Sequence, residues 1–304
     1  MSDSEKSDSA INPLHVVVYC GPNGSGKTTM MDSIRSRGLL VRGQMVFPPV
    51  DEVNPDRVAK TLGDIPEGHA RELAAQRQAV TMREELLAQR KSFSFESVMS
   101  HPSRINELQR LKQANYTVLL SFITTNNPQK NVARVAQRVR DQTTTGHDVP
   151  TQKIIDRYER TLQLLPKAVD IADASYIYDN SYDGRVPTLQ TVIDGGNIRL
   201  ADPLEPWVQT RLLDPLRDRF KEMQALQQKI HEHGYTLEEA DELEGIYSGS
   251  IAFETAYFLV VRGAGKIFSV HEKVMLNAKS GQKFVMDAQC QITYNYRTEA
   301  NIEF

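Results

Sequence analysis

The chain has 304 residues, 40% of them hydrophobic and 25% charged, enough for about two domains and far beyond a disulfide-stapled miniprotein. Lys plus Arg number 36 against 39 Asp plus Glu, a balance that excludes wholesale capture of nucleic acid or membrane lipid and makes any basic site local. No stretch approaches the ~18 apolar residues of a membrane span, and two cysteines, Cys20 and Cys290, offer neither a disulfide framework nor a Cys-rich zinc site, so a reducing, cytoplasmic setting is expected.

Residues 1–13 form a tail. Met1 to Ala10 alternate Ser with Asp, Glu and Lys, which predicts disorder, and they lack the apolar segment of a secretory signal. Export into another cell is left open, since some export systems leave no N-terminal signal. From Leu14 to Cys20 the β-branched run His15-Val16-Val17-Val18-Tyr19 has the continuous apolar pattern of a strand buried on both faces. Met45 to Phe47, Ser92 to Glu96, Tyr116 to Thr124 and Ser175 to Tyr178 read as further strands. Between them, Gly26 to Arg37, Glu67 to Arg90, Ser103 to Gln113, Pro128 to Arg140 and Thr151 to Leu165 have helical spacing. Strands alternating with helices predict an α/β fold with a parallel sheet flanked by helices, assigned to residues 14–200.

After Asp179 come a strand-like piece from Thr188 to Val192, a Gly195-Gly196 turn and prolines at 203 and 206. Residues 201–234 read as linker and amphipathic helix: Leu216, Phe220, Met223 and Ile230 recur at helical spacing from Trp207 to His231, with a start or kink at Pro215. Residues 235–304 turn to period two, as in Cys290, Ile292, Tyr294 and Tyr296, and predict a small antiparallel β-sheet or barrel with a turn at Gly263-Ala264-Gly265. His231 and His233 lie two apart at a helix end and read as surface residues; His147 has no second His or Cys at ligand spacing.

Gly21-Pro22-Asn23-Gly24-Ser25-Gly26-Lys27-Thr28 follows a buried strand and opens a helix, the setting a phosphate-binding loop requires. Glycines let successive backbone N–H groups point inward around a phosphate, and the helix N-terminus adds partial positive charge. Lys27 then bridges the β- and γ-phosphates of ATP and Thr28 ligates Mg²⁺. An ABC-type signature is missing, Ser280-Gly281-Gln282 being too short to count, and so is the Asn-Lys-x-Asp motif of GTPases. Small polar strand tips, Glu96 and Thr124-Thr125, favour a small-molecule kinase.

Such a kinase needs an acceptor base and cations over the transferred phosphoryl. Asp56, opening the helix after Val53-Asn54-Pro55, serves either as that base or as a helix cap. Glu96 ends the apolar run Phe93-Ser94-Phe95, an expensive place for a carboxylate that binds nothing. Lys130, Arg134 and Arg138 share one helix face; Lys153, Arg157 and Arg160 share another. Arg140 precedes the polar run Asp141-Gln142-Thr143-Thr144-Thr145-Gly146-His147, and together these resemble the lid of a nucleoside-monophosphate kinase, with phosphate contact expected of the cluster.

Taken in order, Gly21 through Thr29, Val53-Asn54-Pro55-Asp56, Phe93-Ser94-Phe95-Glu96-Ser97, Gly146-His147-Asp148-Val149-Pro150 with Ile155-Asp156-Arg157-Tyr158, and Tyr178-Asp179-Asn180-Ser181 resemble the zeta-toxin-like P-loop kinases over about residues 14 to 182. The resemblance implies a bacterial, ATP- and Mg²⁺-dependent kinase related to enzymes that phosphorylate the 3′-hydroxyl of a UDP-N-acetyl amino sugar. Asp56 would be the base, Glu96 with Ser97 would hold the sugar, residues 21–29 would hold ATP, and Arg140 and Arg157 are the choices for catalytic arginines. Ser97-Val98 stand where relatives often carry threonines, and Thr143-Thr144-Thr145 where they tend to carry Gly-Gly, which puts the acceptor in question. An antitoxin or other protein partner is left open.

Leu243-Glu244-Gly245-Ile246-Tyr247-Ser248-Gly249 and Val270-His271-Glu272 weakly resemble the β module of plasmid Kfr-type proteins, which implies a mobile-element setting and a docking role. The alternative to a kinase is a nucleotide-dependent switch in plasmid maintenance that binds ATP without phosphorylating a metabolite. A polynucleotide kinase fits poorly, because no basic groove is visible in the sequence.

Overall fold

Val16, Val17 and Val18 are each fully buried, so β1 (His15–Cys20) lies inside a sheet covered on both faces. A computed structural model of the chain describes residues 14–66, 68–141, 149–277 and 284–304. The expected disordered tail, the polar run from Gln142 to His147 and Ser280-Gly281-Gln282 lie outside those residues.

After β1 come α1 (Lys27–Arg37), β2 (Leu39–Val41), β3 (Gln44–Val46), β4 (Glu52–Val53), α2 (Pro55–Thr61), α3 (His69–Ala88), β5 (Phe93–Ser97), α4 (Pro102–Gln113), β6 (Thr117–Thr124), α5 (Pro128–Asp141), α6 (Thr151–Ile171), β7 (Ala174–Asp179), β8 (Thr188–Asp194) and β9 (Asn197–Leu200). Seven of these strands form one sheet in the order β4-β5-β1-β6-β7-β8-β9. β4 to β7 pair in parallel, and β8 and β9 close the far side antiparallel. The carboxyl ends of β1, β5 and β6 therefore face the same way, the edge where open α/β sheets bind ligands.

Two expectations change here. Met45 to Phe47 is not the second strand of the sheet: Arg42 and Gly43 take positive φ, so the chain doubles back and pairs β2 with β3 in a separate hairpin. The edge strand is the two-residue β4 instead. The helix from Thr151 continues past Leu165 to Ile171 with Pro166 inside it. Leu162, Leu164, Leu165, Ala168 and Val169 around it are all buried, and this burial outweighs the lost backbone bond.

α7 (Pro206–Val208) runs through a π-helical turn, Gln209–Leu213, into α8 (Asp214–Glu232). Pro215 sits in the first turn of α8, so the helix starts there, as the alternative to a kink predicts, and the wider turn ahead of it accommodates a residue that cannot donate. The packed stripe of α8 is Leu216, Arg219, Met223, Leu226 and Ile230. Phe220, expected on that stripe, is 62% exposed, and Arg219 is buried in its place. Arg219 turns inward because Glu272 waits there.

Six further strands, β10 (Thr236–Glu239), β11 (Ile246–Glu254), β12 (Phe258–Arg262), β13 (Ile267–Glu272), β14 (Gln289–Thr293) and β15 (Asn301–Glu303), form a second sheet in the order β10-β13-β12-β11-β14-β15. It is open, not a barrel. It is also not wholly antiparallel, since β10 reaches β13 through β11 and β12 and pairs with it in parallel. Cys290, Ile292 and Tyr294 are buried as the alternation predicts.

The two sheets share one apolar core, which runs from Phe93, Phe95 and Leu108 through Trp207 and Leu212 to Leu259 and Ile292. A buried ion network reinforces the junction. Lys167 Nζ of α6 lies 2.7 Å from Glu242 and 3.3 Å from Glu272, Arg219 pairs with Glu272, and Gln109 of α4 donates to Glu242 at 2.8 Å. Among the described residues no helix is long and apolar enough to cross a membrane.

Candidate phosphate-loop site

The loop between β1 and α1 is held from three sides. Gly21 N–H donates to Ser97 O at the end of β5. Asn131 of α5 donates to Asn23 O at 2.7 Å, and Asn180, just past β7, donates to Ser25 O at 2.8 Å. These clamps leave no room for side chains: a Cβ on Gly24 would stand 2.5 Å from Asn131 O, and one on Gly26 would stand 2.4 Å from Asn180 Nδ2. Both glycines also take positive φ, which L side chains rarely adopt.

Gly26 is the N-cap of α1, and no side chain caps the helix, so its first N–H groups are oriented toward an incoming anion. Ser25 Oγ is buried with no hydrogen-bond partner among the described residues. Glycine clamps, an uncapped helix start and an orphaned buried hydroxyl fit a nucleotide's phosphate chain. Lys27 Nζ presently donates to Gly21 O at 2.9 Å and Pro22 O at 3.1 Å and lies 3.5 Å from Glu96 Oε1. Thr28 and Thr29 face outward. Among the described residues no three His, Cys, Asp or Glu side chains converge as a metal centre.

At the mouth of this loop opens a cavity of about 300 Å³ lined by Asn23, Lys27, Asp56, Glu96, Ser97 and Arg157, among others. Its floor is the tip of β5, where Ser97 Oγ accepts Met99 N–H at 3.1 Å and Met99 takes a left-handed φ of 55° while fully buried. One wall starts at Asn54, whose Oδ1 accepts from Asp56 N at 2.8 Å and whose Nδ2 donates to Glu96 Oε2 at 3.3 Å. Asn54 is thus the cap of α2. That relieves Asp56 of capping: its carboxylate is exposed and has no hydrogen-bond or ion-pair partner among the described residues.

The opposite wall is α6. Tyr158 OH donates to Thr125 O at 2.6 Å and Thr161 Oγ1 to Val98 O at 2.9 Å, which fixes the helix against the tips of β6 and β5. Arg157 then reaches Asn23 Oδ1 at 3.4 Å. Burial, and secondarily the charge of Arg160, hold its guanidinium below the usual value.

The structure therefore brings together Asn23, Lys27, Asp56, Glu96, Ser97 and Arg157. Arg140 stands apart, exposed near the end of α5 with Nη2 on Gln137 Oε1 at 2.7 Å. The expected phosphate contact of the first basic face is not what Lys130 and Arg134 make. Lys130 donates to Ser181 O at 2.6 Å and Arg134 pairs with Asp183, because the loop after β7 offers acceptors directly against α5. Sequence reasoning missed three asparagines: Asn54, Asn131 and Asn180. Asn180 stood within a noticed motif, whereas Asn131 lay in a helix read only for its charges.

Comparisons with known proteins bear on the family of the chain. A protein of Haemophilus influenzae (strain ATCC 51907 / DSM 11121 / KW20 / Rd), described as uncharacterized, is 27% identical over 146 residues, 47% of this chain and 91% of that one. Among solved structures, AvrRxo1-ORF1:-ORF2 with ATP has a TM-score of 0.49 at 15% identity over 65% of this chain. The match spans 63% of that chain, less than two thirds of its length. The PezAT chromosomal toxin-antitoxin system of Streptococcus pneumoniae has a TM-score of 0.39 at 14% identity over 57% of this chain and 69% of that one. The family model described as Zeta toxin matches residues 2–183, and the chain accordingly belongs to the zeta toxin family.

Proposed function

We propose that the protein transfers the γ-phosphate of ATP to a hydroxyl of a UDP-N-acetyl amino sugar. The observation that supports this most directly is the meeting of Lys27, Asp56, Glu96 and Arg157 around one cavity at the mouth of the phosphate loop. ATP supplies the transferable phosphoryl group. Residues 21–29 hold its phosphate chain, and Thr28 ligates the accompanying Mg²⁺. Asp56, free of capping duty and exposed to the cavity, accepts the proton of the acceptor hydroxyl. Glu96, oriented by Asn54, holds that acceptor by its hydroxyls, with Ser97 beside it. Lys27 and Arg157 stand where negative charge builds during transfer, whereas Arg140, bonded to Gln137 on α5, does not line the cavity.

The pairing of Lys27 with Glu96 gives this site an order of events. While Glu96 neutralises Lys27 it is engaged on both oxygens, by Lys27 and by Asn54. Lys27 drawn to a phosphate releases one oxygen of Glu96 for the acceptor. The protein works in the cytoplasm and meets an antitoxin or other protein partner there. The test is incubation with ATP, Mg²⁺ and a panel of UDP-sugars, with products followed by mass spectrometry. A phosphorylated UDP-N-acetylglucosamine is expected. ATP binding with no acceptor-dependent product would favour a nucleotide-driven switch instead.

A further inference from the structure

Beside the acceptor cavity lies a second one of about 480 Å³, bounded by α3, α4 and the connection between β14 and β15. Arg104 lines both cavities. The partition between them is an ion triad: Glu107 accepts from Arg83 Nε at 2.5 Å, on the acceptor side, and from Arg104 Nη1 at 3.1 Å.

The second cavity is rich in arginine. Arg77, Arg104, Arg110 and Arg297 face only two carboxylates, Glu84 and Glu107. Arg110 is committed to Glu84 through two bonds of 2.7 and 3.2 Å, and Arg104 to Glu107. Among the described residues neither Arg77 nor Arg297 has a carboxylate within ion-pair distance, so two positive charges are left over. Tyr296 orients one of them, Arg297. Its ring contacts the guanidiniums of Arg110, 4.4 Å from the centroid, and of Arg297, 5.2 Å away, and its hydroxyl accepts Arg297 Nε at 2.9 Å. The same connection is tied to the acceptor cavity by Glu299, whose Oε1 is 3.7 Å from His101 Nε2.

Guanidiniums without a carboxylate partner in one cavity are a receptor for a phosphate-class anion, which takes arginine forks in pairs. We infer that the C-terminal sheet completes the acceptor site: Arg297, set by Tyr296, and Arg77 across the same cavity bind a phosphate or diphosphate group borne by the acceptor whose hydroxyl faces Asp56. The inference rests on reading the first cavity as the acceptor site. It assigns a role to a part of the chain that lies beyond the family match.

The test uses the full chain with its phosphate loop saturated by a non-hydrolysable ATP analogue and Mg²⁺, and inorganic pyrophosphate as the probe in calorimetry. Wild type binds it, and Arg77→Gln with Arg297→Gln weakens binding by about tenfold or more with the affinity for the ATP analogue unchanged. Arg297→Lys, which keeps the charge, loses less. A wild type that does not bind pyrophosphate, or a double variant that binds it equally, overturns the inference. In turnover, pyrophosphate competes with the acceptor, and Arg297→Gln raises the acceptor's KM at constant kcat. Pyrophosphate bound at this cavity without competition, and with KM unmoved, would mean a site for free anion and would overturn the link to the acceptor. Absence of turnover with every acceptor would instead bring down the kinase reading, and the calorimetry would still decide whether the cavity binds anions.

Discussion

The two sheets of this protein bury polar groups in opposite ways. In the first, the polar and charged residues of the site gather at the carboxyl edge around a loop whose backbone admits only glycine at key points. In the second, Lys167, Arg219 and Glu242 are buried at the junction with the first sheet beside the half-buried Glu272, and His271 is fully buried between Ser269 Oγ at 2.8 Å and Tyr294 OH at 2.9 Å. The first arrangement leaves groups facing a cavity. The second satisfies its groups internally, which suits a fixed platform for one wall of a site better than a module that swings on a linker.

That contrast can be broken most forcefully at Lys167. Removing it in Lys167→Ala leaves Glu242 and part of Glu272 as buried charges, with an expected loss of about 3–5 kcal/mol in unfolding free energy, measured by urea denaturation. A loss below about 1 kcal/mol would mean that the halves are held by apolar contact alone. Lys27→Ala should do the reverse, lowering kcat by roughly 10²–10³-fold while leaving the urea midpoint nearly unchanged.

Acid should weaken the second sheet before the first. Burial pushes the pKa of His271 down to about 3, against about 6.5 in an unfolded chain. Between these values the unfolded state binds the extra proton, so stability rises with pH and is lost as pH falls below about 6.5, with a slope approaching ~1.4 kcal/mol per unit. Stability measured from pH 7 to 4.5 should follow that slope in wild type and flatten in His271→Gln. The smallest effect is expected for Glu96→Gln, which keeps the shape but loses the charge. Acceptor KM should rise by about tenfold while ATP affinity holds or improves, because Lys27 no longer pairs with a carboxylate.

The same contrast explains what could be read from the sequence. The phosphate loop, β1, β5, β6 and β7 were legible because buried parallel strands and a phosphate cradle restrict residue type position by position. Asp56 and Glu96 were legible as carboxylates at strand and helix ends, but Asn54, which caps one and orients the other, was not, since nothing local distinguishes a bridging asparagine from a turn residue. Arg219 on the packed face of α8, where Phe220 was expected, depends on Glu272, 53 residues away. The parallel pairing of β10 with β13 and the cavity under Tyr296 depend likewise on partners brought close only by the fold. Pairings of this range leave no period in the sequence.

The central claim is that Asp56 and the phosphate loop act on one acceptor in one cavity. Acceptor-dependent ATP turnover, measured side by side in wild type and Asp56→Asn with ATP affinity determined on the same samples, tests it most directly. A fall in kcat of about 10²–10⁴-fold at unchanged ATP affinity is the predicted result. Equal turnover in the two proteins would contradict it and remove Asp56 from the chemistry.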